Sequence, residues 1–238
     1  QELYNQVLKI DPNHLGSLNN LGSILNNSGE KQKAKSYLEK AILINPNYLD
    51  ARTNLGALFE ELGQYQKSVE CYTKVIEINP NYENAHNNLG VIFLKLKEYE
   101  KAKEYIEKEI KINPSSVEAH SNLGIIFKRI LEYEKAKECF KKAIQINPNF
   151  ANAINNLGSI FERLGKYPKA KNCFQKAIQI NQNFTDAHFN LGIVLQKLTD
   201  HQQAKKCYEK VIELNPRYVG AYSNLGNVHK ILNELQKA

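Results

Sequence analysis

The stretch that decides the fold is residues 117–150, VEAHSNLGIIFKRILEYEKAKECFKKAIQINPNF. It contains the tripeptide Asn122-Leu123-Gly124, and the same tripeptide recurs every 34 residues along the chain. Its seven copies begin at Asn20, Asn54, Asn88, Asn122, Asn156, Asn190 and Asn224. A fixed period of this length is the sequence signature of a repeat protein, in which one supersecondary unit stacks on the next.

Each repeat is predicted to form two amphipathic helices. When a repeat is numbered from Leu15, the tripeptide occupies positions six to eight of a first helix. Residues spaced by three and four positions form one apolar face on this helix, and a second such face follows in the same repeat. In residues 117–150 the two faces comprise His120, Leu123, Gly124 and Phe127, and then Ala136, Phe140, Ala143 and Ile144. Packing of the two faces predicts a helical hairpin.

An Asn-Pro pair follows the second helix of nearly every repeat, as in Asn147-Pro148, and Asn181-Gln182 is the one lapse. Proline disfavours helical backbone in the residue before it, so each pair predicts a helix end. Glycine inside a helix costs about 1 kcal/mol relative to alanine. The glycine at position eight of every repeat therefore predicts a close approach of the second helix.

Glu109 departs from the pattern on the packing face of the second helix. Equivalent positions of other repeats hold Ala41, Ala143 and Ala177. The Glu109 carboxylate is expected either to reach solvent along its aliphatic stem or to be paired, and the sequence leaves both alternatives open.

The period divides the chain into repeats. Residues 1–14 are predicted to be the second helix of a preceding repeat, and residues 219–238 the first helix of a truncated one. The six complete repeats are residues 15–48, 49–82, 83–116, 117–150, 151–184 and 185–218. Terminal repeats of a solenoid normally have a polar outer face. Because neither terminal helix has one, we expect the sequence to be an excerpt of a longer array.

Composition narrows the class of protein. With 42% hydrophobic and 24% charged residues, the chain is predicted to fold and to bury a substantial core. Its apolar runs are too short to predict membrane insertion. The four cysteines lack the close pairing typical of zinc sites and disulfide scaffolds, which favours a reducing, cytoplasmic compartment.

A known family has the same pattern of Leu-Gly, an aromatic residue, alanine, a second aromatic residue and alanine. In residues 151–184 these positions hold Leu157, Gly158, Phe161, Ala170, Phe174 and Ala177. The chain resembles the tetratricopeptide repeats, although the tryptophan often found at position four is absent. This resemblance implies an all-α, right-handed superhelical solenoid of antiparallel helix pairs that binds proteins. The phrase at residues 118–123 also resembles the repeats of O-linked N-acetylglucosamine transferases and of bacterial multi-repeat proteins.

No combination of residues predicts catalysis. His86, His120 and His188 share position four, but packed helices stand about 8 to 10 Å apart, too far for two such ligands to converge on one metal. We interpret them as replacements for the packing aromatic residue. Cys139, Cys173 and Cys207 are interpreted as small apolar residues on the second helices. The sequence therefore predicts no enzymatic activity, no metal and no cofactor.

The most informative feature is the face of the first helix opposite its packing stripe. Position six on that face is asparagine in all seven copies of the tripeptide, although asparagine costs about 0.5 kcal/mol in a helix interior. In the family the first helices face inward, so these amides are expected to form a ladder along a concave groove. One hypothesis is that the ladder binds the main chain of an extended peptide; the other is that each amide bonds the neighbouring repeat.

Position thirteen of the same face carries a cation in four consecutive repeats, at Lys95, Arg129, Arg163 and Lys197. Together with the net charge of +7, this row predicts attraction of an acidic or phosphorylated peptide. The lysine that binds chaperone tails in the family is absent from position five. Basic and acidic residues alternate without an aromatic row, which argues against nucleic-acid binding.

The predicted function is that of a non-catalytic scaffold, which binds an extended partner segment through the asparagines and the four cations. Two alternatives belong to other classes of protein. In the first, the array is the substrate-recruiting arm of a larger enzyme such as a glycosyltransferase. In the second, it is a structural element that stacks head to tail with copies of itself.

Overall fold

The computed structural model describes the backbone of residues 1–237 and the side chains of residues 1–233. Within this part of the chain all regular structure is helical. The helices are α1 (Glu2–Ile10), α2 (Leu15–Asn27), α3 (Lys31–Ile44), α4 (Leu49–Glu61), α5 (Tyr65–Ile78), α6 (Ala85–Lys95), α7 (Tyr99–Ile112), α8 (Val117–Arg129), α9 (Tyr133–Ile146), α10 (Ala151–Arg163), α11 (Tyr167–Ile180), α12 (Thr185–Lys197), α13 (His201–Leu214) and α14 (Val219–Lys237). None of these described helices is both long and apolar enough to cross a membrane.

The helices form two compact units, residues 1–114 with α1–α7 and the part from residue 115 onward with α8–α14. Even-numbered helices are the first helices of the repeats, and odd-numbered helices are the second. Inside each unit a first helix packs on the second helix of its own repeat and on that of the preceding repeat, as α10 does on α11 and α9. First helices also contact one another, α2 with α4, and α10 with both α8 and α12. The predicted all-α repeat of helix pairs is confirmed.

The glycine at position eight lies where two helices meet. A Cβ atom added to Gly158 would lie 2.7 Å from Cε1 of Phe174 on α11, and one added to Gly22 would lie 2.6 Å from Cγ of Leu38 on α3. Atoms cannot approach so closely without displacement, so a side chain there would separate the helices. The predicted close approach is present, and its main contact is the large buried residue of the second helix.

The second helices α3, α5, α9, α11 and α13 each end before an asparagine whose side chain bonds the backbone N–H two residues later. The Asn147 side-chain oxygen accepts a hydrogen bond from the Asn149 N–H at 3.0 Å. The same bond joins Asn181 to Asn183 at 3.1 Å, where no proline follows, and α11 still ends at Ile180. This turn therefore ends the helix with or without proline.

The link between the two helices of a repeat passes through one residue with a left-handed backbone. It is glycine in three repeats and another residue in three others. The six are Gly29, Gly63 and Gly165, and then Lys97, Leu131 and Thr199. In the first repeat the next N–H, that of Glu30, bonds to the Leu25 carbonyl at 2.9 Å, as is typical of a helix terminated by a left-handed residue.

Glu109 explains an irregular start of α6. This helix begins at Ala85, two residues after the equivalent start in other repeats, and Asn84 before it has φ of 60°. Glu109 on α7 is 1% exposed, and its Oε2 accepts the Asn87 backbone N–H at 3.3 Å. The carboxyl group thus accepts a hydrogen bond from the first turn of α6, where the N–H groups of a helix need acceptors from outside the helix. Of the two alternatives left open by the sequence, the structure has the paired one.

Candidate functional site

The seven asparagines at position six lie half-buried on the first helices of both units. Two of them bond the position-five asparagine of the preceding repeat. Asn54 donates from Nδ2 to Asn19 Oδ1 at 2.8 Å, and Asn190 donates from Nδ2 to Asn155 Oδ1 at 3.1 Å. Such bonds join consecutive first helices, and each engages one of the two N–H donors of the amide.

Other members of the set bond different groups. Asn156 Oδ1 accepts a hydrogen bond from Lys128 Nζ at 3.4 Å. Asn88 and Asn224 bond the hydroxyl groups of Tyr72 and Tyr208, which opposes the rise in pKa that burial causes in those phenols. These asparagines therefore contribute to packing between helices, and part of each side chain stays exposed.

The four cations of position thirteen differ in their surroundings. In the first unit Lys95 forms an ion pair with Glu60 at 2.7 Å, and its ammonium lies 5.9 Å from the centre of the Tyr65 ring. In the second unit Arg163 Nε lies 4.0 Å from Glu162 Oε2. Arg129 and Lys197 are exposed there, and no ion pair involves either of them among the described side chains. The charge of Lys95 is locally balanced, whereas the second unit presents its cations more openly.

A groove of about 610 Å³ is lined by residues of the first helices α8, α10 and α12 in the second unit. It brings together three residues predicted from sequence, Asn156, Arg163 and Asn190. Lys128 on α8 also lines it. Burial, followed by the nearby Arg129 and Arg163 charges, lowers the pKa of the Lys128 ammonium. The nearby Glu162 charge opposes this decrease. An anion that enters the groove would likewise favour the charged form of the half-buried Lys128.

Other predicted residues line smaller pockets. In the first unit Asn88 borders a cavity of about 430 Å³ together with Thr53 and Tyr82. In the second unit Lys197 and Asn224 border one of about 440 Å³. The predicted residues are therefore distributed over several grooves on the first helices.

The apolar part of the large groove was not predicted from the sequence. Phe189, Ile193 and Tyr218 line it opposite Lys128 and Arg163. One signal was available, because Phe189 occupies position five, where every other repeat has asparagine, serine or threonine. A departure from the repeat pattern thus marks the apolar side of the groove.

The position-four side chains bind the loop that precedes their helix. The Nε2 atoms of His86 and His188 bond the carbonyls of Pro80 and Gln182, each at 2.9 Å. The His86 ring also stacks on Tyr105 with centroids 6.0 Å apart. These contacts agree with the interpretation of the histidines as packing residues. No group of metal-ligating side chains occurs among the residues that the structure describes.

Three of the four cysteines have thiols that burial keeps protonated. Burial raises the pKa of Cys71, Cys173 and Cys207 to about 11. The thiolate is the nucleophile and the metal ligand, so these thiols are poor candidates for either role near neutral pH.

Family models cover almost the whole chain. Models described as tetratricopeptide repeat or TPR repeat match residues 15–48, 37–70, 58–97, 83–116, 117–150, 149–217 and 207–238. The chain belongs to the tetratricopeptide repeat family. Tetratricopeptide repeats generally serve as protein–protein interaction scaffolds. No functionally curated protein matches the sequence significantly.

Solved tetratricopeptide repeat structures share the fold. The chain is 16% identical to one chain of the APC/C hetero-tetramer Cut9-Hcn1, with a TM-score of 0.85. The aligned region covers 94% of this chain and 45% of that chain. PilF of Pseudomonas aeruginosa is 20% identical, with a TM-score of 0.77 and coverage of 90% and 97%. YrrB, a TPR protein with an unusual peptide-binding site, is 19% identical, with a TM-score of 0.57 and coverage of 78% and 96%.

Proposed function

We propose that this chain is a non-catalytic scaffold that holds an extended segment of a partner protein against its first helices. The asparagines of position six bind the peptide main chain, and the cations of position thirteen favour an acidic segment. The observation that carries the proposal is the groove of the second unit, where Asn156, Asn190 and Arg163 line one cavity of about 610 Å³.

An extended peptide suits this surface for a chemical reason. Its backbone presents unpaired N–H and C=O groups along its length, and an asparagine amide both donates and accepts hydrogen bonds. The amides of Asn156 and Asn190 are half-buried, so they are positioned by packing and still face the groove. Binding of this kind reads the presence and direction of a main chain more than its side chains. YrrB lends support, since that protein of the same fold has a peptide-binding site.

The test separates binding from folding. Dodecapeptides displayed on phage are selected on the chain, and the affinity of a selected peptide is compared with the melting temperature in the variant Asn122→Ala/Asn156→Ala/Asn190→Ala. We expect the affinity to fall by about tenfold or more, since several hydrogen bonds to the ligand are lost. Asn172→Ala, an exposed asparagine on α11, is the matched control. A lower melting temperature with unchanged affinity would instead assign the asparagines a purely structural role.

The electrostatic part of the proposal has its own test. Raising the salt concentration from about 0.05 to 0.5 M shortens the range of charge interactions severalfold. We expect a selected peptide to bind more weakly at the higher concentration. Equal affinity at both concentrations would remove the contribution of the cations and leave that of the asparagines. The two alternatives drawn from the sequence, a recruiting arm of an enzyme and a self-stacking array, stay predictions.

A further inference from the structure

Phe189 gives one end of the large groove an apolar character. Its ring packs against Tyr218 and Tyr208, with centroids 4.8 and 5.8 Å apart. Gly220 makes room for it, because a Cβ on this glycine would lie 3.2 Å from Phe189 Cζ. Phe189 is only half-buried, and Ile193 lies one helical turn away on the same groove. These side chains leave apolar surface uncovered, and at the position of Phe189 every other repeat has a polar residue.

The other end of the groove carries a net positive charge, because its lining has two cations and one carboxylate, that of Glu162. Lys128 and Arg163 line it, and the charge of Arg129 is close enough to act on Lys128. Lys128 is tied to Asn156 through one long hydrogen bond of 3.4 Å, and Arg163 is 4.0 Å from its nearest carboxylate. Both cations therefore keep donors for an anionic ligand, and that ligand need not break a strong ion pair to bind.

The groove also has an acidic residue at its apolar end. Asp186 lines the groove with Tyr218, and burial followed by the Asp186 charge raises the pKa of the Tyr218 hydroxyl. A second acidic group of the ligand would be repelled there. Lys128 and Arg163 outnumber Glu162 at the α8 and α10 end of the groove, whereas Asp186 stands at the start of α12. The net charge along the groove thus changes from positive to negative, which gives the site a direction.

We infer that this groove selects an extended peptide with an acidic side chain, followed at a fixed spacing by a large aliphatic or aromatic side chain. The acidic group binds between Lys128 and Arg163, and the apolar group packs on Phe189 and Ile193. This inference rests on the proposed function and adds the class of peptide. It also predicts that two acidic groups, one at each end, bind less well than one.

The spacing of the two side chains follows from the helix packing. Packed helices lie about 8 to 10 Å apart, and an extended chain advances about 3.3 Å per residue. The first helices α10 and α12 are neighbours, so their side chains are one helix spacing apart, and those of α8 and α12 are two spacings apart. The acidic and apolar residues are therefore expected about three to six positions apart.

The experiment is a comparison of peptide selections on the wild type, three groove variants and one control variant. A random dodecapeptide library on phage is selected on the wild-type chain and on Lys128→Gln, Phe189→Ser and Ile193→Ser. Each substitution introduces a residue that other repeats already have at the same position, as in Gln196, Ser121 and Ser159. Leu43→Ser, which removes an exposed apolar residue of α3, is the control. Melting temperatures establish that each variant is folded.

The wild-type selection is expected to enrich an acidic residue with an apolar residue three to six positions away. Phe189→Ser and Ile193→Ser keep the acidic preference and lose the apolar one, and Lys128→Gln does the reverse. With a synthetic peptide of the wild-type consensus, each of the three weakens binding by about fivefold or more, because a charge-assisted hydrogen bond or a buried apolar contact is lost.

Two outcomes would overturn the inference. One is an identical consensus from the wild type and all three groove variants. The other is a wild-type consensus without an acidic and apolar pair; selected peptides would then still bind, and the proposed function would stand. A chain on which no peptide is enriched contradicts both the inference and the proposed function.

Discussion

At the residue scale, alanine in place of the position-eight glycine is expected to have opposite effects on the free energy of unfolding in two repeats. A Cβ at Gly158 would lie 2.7 Å from Phe174 Cε1 and 3.0 Å from Cys173 Cβ, whereas one at Gly226 would have no heavy atom within 4 Å. We expect Gly158→Ala to lower the free energy of unfolding by about 2 kcal/mol, since overpacking a core costs about 1 to 3 kcal/mol. Gly226→Ala serves as its control and should raise it by up to about 1 kcal/mol through helix propensity.

Urea unfolding of the two variants measures both effects. The slopes should match that of the wild type, so that a change of midpoint reports stability. Equal effects of the two alanines would contradict the explanation from close packing, because helix propensity alone treats both glycines alike.

Thr199 is a second residue whose backbone opposes its side chain. Its φ of 60° places a β-branched residue in the left-handed region, where Gly63 and Gly165 occupy the equivalent sites with φ of 69°. We expect Thr199→Gly to raise the free energy of unfolding by about 0.5 to 1 kcal/mol, since relief of strain exceeds the entropy that glycine adds to the unfolded chain.

Gly165→Thr is the reciprocal variant and should lower the free energy of unfolding by at least as much. Thermal unfolding of both proteins is the measurement. A loss of stability in Thr199→Gly would show that the threonine makes a contact worth more than the strain.

At the element scale, the helix ends were predictable because their causes are local. Proline and the asparagine before it act on the backbone within two or three residues, and Asn181 forms the same turn without proline. The late start of α6 was not predictable. It depends on Glu109, which lies 22 residues from Asn87 in the chain and meets it only after α6 and α7 pack.

Glu109 is therefore expected to control the length of α6. In Glu109→Ala, the residue of three other repeats replaces a buried carboxylate, and residues 83–84 should join the helix. Removing a buried carboxyl group whose Oε1 has no hydrogen-bond partner among the described residues should also raise the free energy of unfolding by about 1 kcal/mol. Backbone carbon chemical shifts at residues 83–84 report the helix, and urea unfolding reports the stability.

Glu109→Gln is the matched control for this prediction. It keeps the size of the side chain and an acceptor for the Asn87 N–H, so residues 83–84 should stay outside the helix. An α6 that still begins at Ala85 in Glu109→Ala would contradict the assigned role.

At the scale of the whole molecule, the period of 34 residues was enough to predict the fold. Every repeat presents the same apolar spacing, so one helical hairpin describes them all and the family models match along the chain. The candidate site was predicted less completely. Asn156, Arg163 and Asn190 were selected because they recur, whereas Phe189 was overlooked because it breaks the recurrence. A residue that departs from a repeat pattern is not found by searching for recurrence, and its neighbours are known only from the packed structure.

The sequence analysis also did not predict which of the four cations forms an ion pair. Lys95 and Arg163 share position thirteen, but Lys95 is balanced by Glu60 at 2.7 Å while Arg163 faces the groove. The difference lies in the residue that the preceding first helix brings near, which is Glu60 beside Lys95 and Lys128 beside Arg163. A repeat position therefore sets the direction of the side chain, and the adjacent repeat sets which charged groups lie near it.

Peptide binding by the asparagines is tested most sharply by the NMR signals of their side-chain amides during titration with a selected peptide. If the first helices hold the peptide main chain, the NH₂ resonances of Asn156 and Asn190 shift with the ligand, and that of Asn172 on α11 does not. A peptide that binds with resonance changes confined to α9, α11 and α13, and with unchanged amides at Asn156 and Asn190, would contradict binding in the groove.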